Sequence, residues 1–149
     1  MIKENPFDFH GAMTATLIKA NGETEVFHKD NIIVNAGFDF IADAIGKSAS
    51  RPNAMGYIAI GTGTTAAAVA QTALVTEVAR TAATYAHTTG TKVLTFTTTF
   101  AAGSGTGAIT EAGVFNASSG GTMLDRVVFP VINKADADTL QITFTFTMS

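Results

Sequence analysis

From Thr139 to Met148 the chain alternates without a break, with Leu140, Ile142, Phe144, Phe146 and Met148 on one parity and Thr139, Gln141, Thr143, Thr145 and Thr147 on the other. Successive side chains of an extended strand point to opposite faces, so this segment is a strand with an apolar face on a core and a threonine face toward water. That half-buried pattern belongs to antiparallel sheets. The same pattern recurs over Thr91–Phe100, where Leu94, Phe96 and Phe100 share one parity and Thr95, Thr97 and Thr99 the other. The fold class that follows is mainly β, an antiparallel β-sandwich of jelly-roll-like type, with eight or nine strands, one short amphipathic helix and an extended N-terminal arm.

The arm is residues 1–11. Pro6 interrupts regular structure, Phe7 and Phe9 alternate with Asp8 and His10, and Gly11 closes the segment. Its two aromatics must be buried somewhere, either on the domain's own core or against a neighbouring subunit. Residues 12–149 are expected to form one β-sandwich domain. Ala12–Ala20 and Glu23–Lys29 flank Asn21-Gly22, a sequence that favours a two-residue hairpin turn. After Ile32-Ile33-Val34, Asn35 is placed to cap a helix from Ala36 to Gly46, with Phe38, Ile41, Ala42 and Ile45 as its apolar stripe. Strands are then expected at Gly56–Gly61, Leu74–Arg80, Thr91–Phe100, Ala108–Phe115, Thr122–Phe129 and Asp138–Met148. The alanine-rich stretch 66–73 fits either a short helix or an irregular loop. Pro130–Ala137 reads as a connection.

Composition narrows the function classes. Cysteine is absent, which removes thiol catalysis, cysteine–zinc sites and disulfide staples, and fits assembly in a reducing cytoplasm. The formal charge is −3 and the nine Lys and Arg are scattered, so the basic patch of a nucleic-acid binder is missing. Only 14% of residues are charged while 46% are hydrophobic, so the surface rests on Thr, Ser, Asn and Gly and tolerates contact with other protein. No signal peptide and no apolar run long enough to span a membrane is visible, so a membrane partner is not expected.

The chemical motifs fail on inspection. Gly61-Thr-Gly63-Thr-Thr lacks the lysine of a phosphate-binding loop and the third glycine of a dinucleotide fingerprint, and Gly103-Ser-Gly105-Thr-Gly107 fails in the same way; both read as turns. His10, His28 and His87 are far apart and none sits at metal-ligand spacing. No serine has the nucleophile-elbow context. A glycosidase needs two carboxylates flanking a cleft, and the candidates on strands are Glu77 and Glu111, yet ion pairing with Arg80 and Arg126 explains them equally well. The expectation is a protein with no catalytic residues, no cofactor and no metal.

Several phrases taken together point to a family. Asn31-Ile-Ile-Val-Asn35 before an amphipathic helix, Tyr57-Ile-Ala-Ile-Gly-Thr-Gly-Thr-Thr65, Leu74-Val-Thr-Glu-Val-Ala-Arg80, and Ile109-Thr-Glu-Ala-Gly-Val-Phe-Asn116 through Phe129-Pro-Val-Ile-Asn133 to the terminal Thr/Phe strand resemble small structural proteins of tailed bacteriophage virions. The resemblance covers residues 30–149 and is greatest to capsid decoration, or cement, proteins. It implies a non-enzymatic β-domain, made in the host bacterial cytoplasm and placed on the outer capsid surface of the virion. There it would bind the major capsid protein, bridge and stabilise neighbouring capsid subunits, and act as a homo-oligomer, a trimer. The alternative is a phage tail or tail-fibre module for attachment to a host surface or another tail component. The absence of heptads or shaft-like repeats favours the capsid. Phe7 and Phe9 of the arm, with Arg51 and Arg80, are the residues expected at an interface.

Overall fold

Leu140, Ile142, Phe144 and Phe146 are fully buried, and the threonines between them are only partly so. The strand that carries them is central to one of two sheets. The computed structural model describes residues 7–149, so residues 1–6 of the expected arm lie outside the described residues. In chain order the described elements are β1 (Phe9–Ile18), β2 (Thr24–Asp30), β3 (Ile32–Ile33), α1 (Asn35–Gly46), β4 (Tyr57–Gly61), β5 (Glu77–Ala82), β6 (Thr84–His87), β7 (Val93–Phe100), β8 (Gly107–Phe115), β9 (Asp125–Lys134) and β10 (Thr139–Met148).

They form two five-stranded antiparallel sheets, ordered β2-β1-β10-β7-β6 and β3-β9-β8-β4-β5. Early strands pair with late ones in a nested way, β1 with β10, β3 with β9 and β4 with β8. That nesting is the jelly-roll-like element of the sandwich. Between the sheets lies one core, to which β1 gives Met13, Ala15 and Leu17, β4 gives Ile58 and Ile60, β7 gives Phe96 and Phe100, and β9 gives Val127, Phe129 and Ile132. Outside, the threonines of neighbouring strands face each other in register, Thr14 opposite Thr143 and Thr143 opposite Thr97, and the Thr97 and Thr143 hydroxyls bond at 3.0 Å. Shortening a buried chain should therefore cost more than trimming the threonine face. Ile142→Val is expected to lose about 1 kcal/mol in urea unfolding and Thr145→Ala less than about 0.5. Equal losses would mean that both faces of β10 are buried.

Five expectations are corrected. The sandwich begins at Phe9 rather than at residue 12, because Phe9, His10 and Gly11 pair with Met148, Thr147 and Phe146. The β1–β2 connection spans Lys19–Glu23 rather than two residues, closed by Lys19 N–H to Glu23 O and Gly22 N–H to Lys19 O. Thr84–His87 adds a strand on the edge of the first sheet. β9 does not stop before Pro130 but runs through it to Lys134. The register against β8 shifts between Ile109 and Glu111, where two residues of β8 span four of β9, and an exposed proline with no N–H fits within such a bulge.

The helix is the fifth. It exists where expected, but its cap is Val34 rather than Asn35, with no side-chain cap bond, and of the expected stripe only Ile41 packs on the core. Gly37 is buried, and a Cβ on it would lie 2.2 Å from Leu124 O, so the helix backbone rests directly on β9's approach. This contact sets the rotation: Phe40 and Ile41 pack on the core, while Phe38 and Ile45 point outward at 50% and 80% exposure. Arg51 closes the other end by donating to Ala44 O and Lys47 O.

Candidate functional site

A buried polar assembly lies outside the second sheet, under the connection 62–76 between β4 and β5. Glu111 of β8 and Arg126 of β9 are both fully buried and pair at 2.7 Å. The Glu111 carboxylate also accepts the N–H groups of Gly63, Val75 and Thr76 at 3.0, 3.0 and 2.7 Å. Arg126 donates onward to Thr65 O and Gln71 Oε1. Burial would raise the Glu111 carboxyl, but the N–H groups of Thr76 and Val75, Arg126 and the Gly63 N–H outweigh it and hold it below the ordinary carboxylate value. Gly63 comes so close that a Cβ there would sit 2.6 Å from Glu111 Oε1. Gly61-Thr-Gly63 is thus a turn shaped around a carboxylate, and the alanine-rich stretch is a loop rather than a helix. The same anchorage delays β5 to Glu77, because the amides of Val75 and Thr76 are turned toward Glu111.

Three further buried ionisable groups, Asp125, Lys134 and Asp138, sit elsewhere, and Asp138 accepts the N–H groups of Ala20 and Ala135. Asp125 at the start of β9 is fully buried; its carboxylate accepts the Val114 N–H at 3.0 Å and the Asn31 side-chain amide. Burial pushes its pKa up to about 7 against those two donors. Asn31 Oδ1 beside it is buried without a partner. The Lys134 amine, lowered by burial, donates to Ala101 O at 3.1 Å and fastens the 101–106 turn.

Of these groups, Arg126 borders a cleft of about 330 Å³ that it shares with Lys29, Asp30, Ile32 and Thr64, and its guanidinium is already held by Glu111, Thr65 and Gln71. Glu77 forms an ion pair with Arg80 at 2.6 Å, and Glu111 lies sealed under the loop, so the two carboxylates do not flank a cleft. The histidines bond separately, His10 to Asp8, His28 to Thr14 and His87 to Val93 O. Among the described residues no group of three or more His, Cys, Asp or Glu side chains is placed to hold a metal ion.

The candidate site is instead an apolar cleft of about 450 Å³ at one end of the sandwich, between α1, the 51–55 segment and the ends of β6 and β7. Phe9, Phe40, Met55, Tyr85 and Phe96 form its aromatic and thioether walls, and Arg51 and Ala54 stand at its mouth. Ring contacts make the walls stiff. Phe9 stacks on Phe146 at 5.4 Å with parallel planes, Phe96 meets Phe146 edge-on at 6.2 Å, and Tyr85 tilts against Phe96 at 5.7 Å.

Of the four residues expected at an interface, the cleft brings two together, Phe9 as a wall and Arg51 at the mouth. Phe7 lies just beyond β1 and is 71% exposed. Arg80 does not join them. Its side chain is only 7% exposed, its guanidinium lies 3.8 Å from the Phe115 ring centroid, and it donates to Ala117 O and Gly120 O, so it holds the 116–121 turn. Sequence reasoning missed Phe40, Met55 and Tyr85. Phe40 had the strongest signal, one helical position from the expected stripe. No protein-family model, no curated protein and no solved structure matches this chain.

Proposed function

We propose that this protein is a non-enzymatic structural component of a tailed-bacteriophage virion that binds the outer capsid surface and bridges and stabilises neighbouring capsid subunits. The observation that carries the reading is the apolar cleft with an exposed phenylalanine at its side, a feature suited to gripping protein. The sequence phrases that resemble decoration proteins supply the identity of the partner, the major capsid protein. The rest of the molecule is consistent with a bridging role. Its charged side chains are few, and Glu111, Arg126, Arg80 and Lys134 are spent inside the fold. Weak contacts repeated over a symmetric shell become collectively strong, so no single interface has to be large.

The test is to mix the purified protein with capsids that lack it, sediment the particles, and locate bound protein by cryo-electron microscopy. Density on the outer shell, in copies comparable in number to the capsid subunits, is the expected outcome. Density confined to the tail, or no co-sedimentation, would overturn the reading.

A further inference from the structure

We infer that the apolar cleft is a socket for Phe7 of a second copy of this chain. The inference rests on the reading of the cleft as a protein-docking site and names its occupant. Phe7 and Phe9 share a parity, because Asp8 and His10 between and after them lie on the outward side and pair with each other at 2.9 Å. Side chains two apart on an extended strand are one repeat, roughly 6.5 Å, along the same face. Phe7 therefore stands one repeat beyond a wall of the cleft, on the cleft's side of the sheet.

In its own copy Phe7 does not fill the cleft: it is 71% exposed and does not line it. Asp8 is tied to Ser149 by two backbone bonds, Asp8 N–H to Ser149 O at 2.7 Å and Ser149 N–H to Asp8 O at 2.9 Å. Phe9 is held in place by its stack on Phe146. These contacts fix the Phe7 backbone just outside the rim with the ring in water. A second copy meets no such restraint, and the chemistry matches. The walls are aromatic and thioether surfaces suited to a phenyl ring. Asp8, beside the plug, is acidic and 60% exposed on the outward face, and the exposed Arg51 borders the cleft while holding Ala44 O and Lys47 O, so the two surfaces that meet carry opposite charges. Each copy carries plug and socket side by side, so the contact can be repeated from copy to copy and close into a symmetric oligomer.

The experiment uses the full chain and measures association in four samples by sedimentation equilibrium at micromolar concentration. The unaltered protein should associate. Phe7→Ala removes the plug at an exposed position, and Ala54→Trp fills the mouth from another exposed position. Each variant should lose at least about 30-fold in association constant, the size of one hot-spot aromatic, while thermal unfolding confirms that it stays folded. The decisive sample is the mixture, in which Ala54→Trp supplies Phe7 and Phe7→Ala supplies an open cleft. It should associate more strongly than either variant alone. A monomeric unaltered protein, self-association of Phe7→Ala equal to that of the unaltered protein, or a mixture as inert as its components would each overturn the inference. Capsid binding by a monomer would leave the proposed function standing without the socket, and an oligomer that ignores capsids would do the reverse. If Ala54→Trp fails to fold, the comparison of Phe7→Ala with the unaltered protein still decides.

Discussion

Glu111→Ala should destabilise the protein by about 3–5 kcal/mol, the range for breaking a buried ion pair and leaving one charge behind. The cost has two parts. Arg126 would stay buried with only Thr65 O and Gln71 Oε1 as acceptors. In addition, the N–H groups of Gly63, Val75 and Thr76 would lose their acceptor at once. The second part makes a sharper test than the single substitution. An isolated buried ion pair can often be replaced on both sides by apolar residues with little loss. Here Glu111→Leu combined with Arg126→Met should remain substantially destabilised, because the backbone amides of the 62–76 connection still have no partner. Urea unfolding measures the loss, and hydrogen exchange at Gly63, Val75 and Thr76 should speed up in both variants. A double variant as stable as the unaltered protein would show that the carboxylate does not organise the loop.

This hub also explains where sequence patterning reaches its limit. On β10 the alternation maps directly onto burial, because among the described residues no element packs over its half-buried threonine face and the local period of two carries the whole signal. On β8 the period disappears: Ile109 through Phe115 are buried without interruption, since the 62–76 connection and the start of α1 cover the outer face with Leu74, Val34 and Ala36 around Phe115 and Met123. Pairing Glu111 with Arg126 was legible from residue type on neighbouring strands, but the loop over them was not, as its acceptor lies 35 to 48 residues away in sequence.

The helix shows the same division. Its existence and length follow from local periodicity, whereas its rotation follows from Gly37 against Leu124, a contact between distant segments. The cleft is less legible still, being assembled from β1, α1, the 51–55 segment and β6–β7, none of which signals it alone. Phe9 and Arg51 could be singled out as residues expected at an interface. That they meet at one opening is a property of the topology.

Stability should fall as the pH rises from 5 to 8, by about 2–3 kcal/mol, and Asp125 should be the cause. The folded carboxyl has a pKa raised to about 7 from an ordinary value of 3.8. Below about pH 4 both folded and unfolded chains hold the proton, and Asp125 contributes no pH dependence. Between the two values the folded chain keeps a proton that the unfolded chain has released, so each increase in pH favours unfolding. Above about pH 7 both forms are ionised, the slope vanishes, and the folded chain carries a buried carboxylate with two donors and no cation. Glu111 acts in the opposite sense: its lowered pKa gives stability that is present above about 4.5 and lost as the pH falls through the folded value. The optimum should therefore lie in mildly acid solution. The unpartnered Asn31 Oδ1 fits this assignment, because a half-turn of that amide lets it accept the proton of a neutral Asp125. Asp125→Asn keeps the shape and removes the charge, so its stability should be nearly flat over the window and should match or exceed that of the unaltered protein at pH 8. Comparing the two proteins isolates Asp125 from every other group that titrates there. Parallel pH profiles in thermal unfolding would mean that the buried carboxyl is not the group responsible.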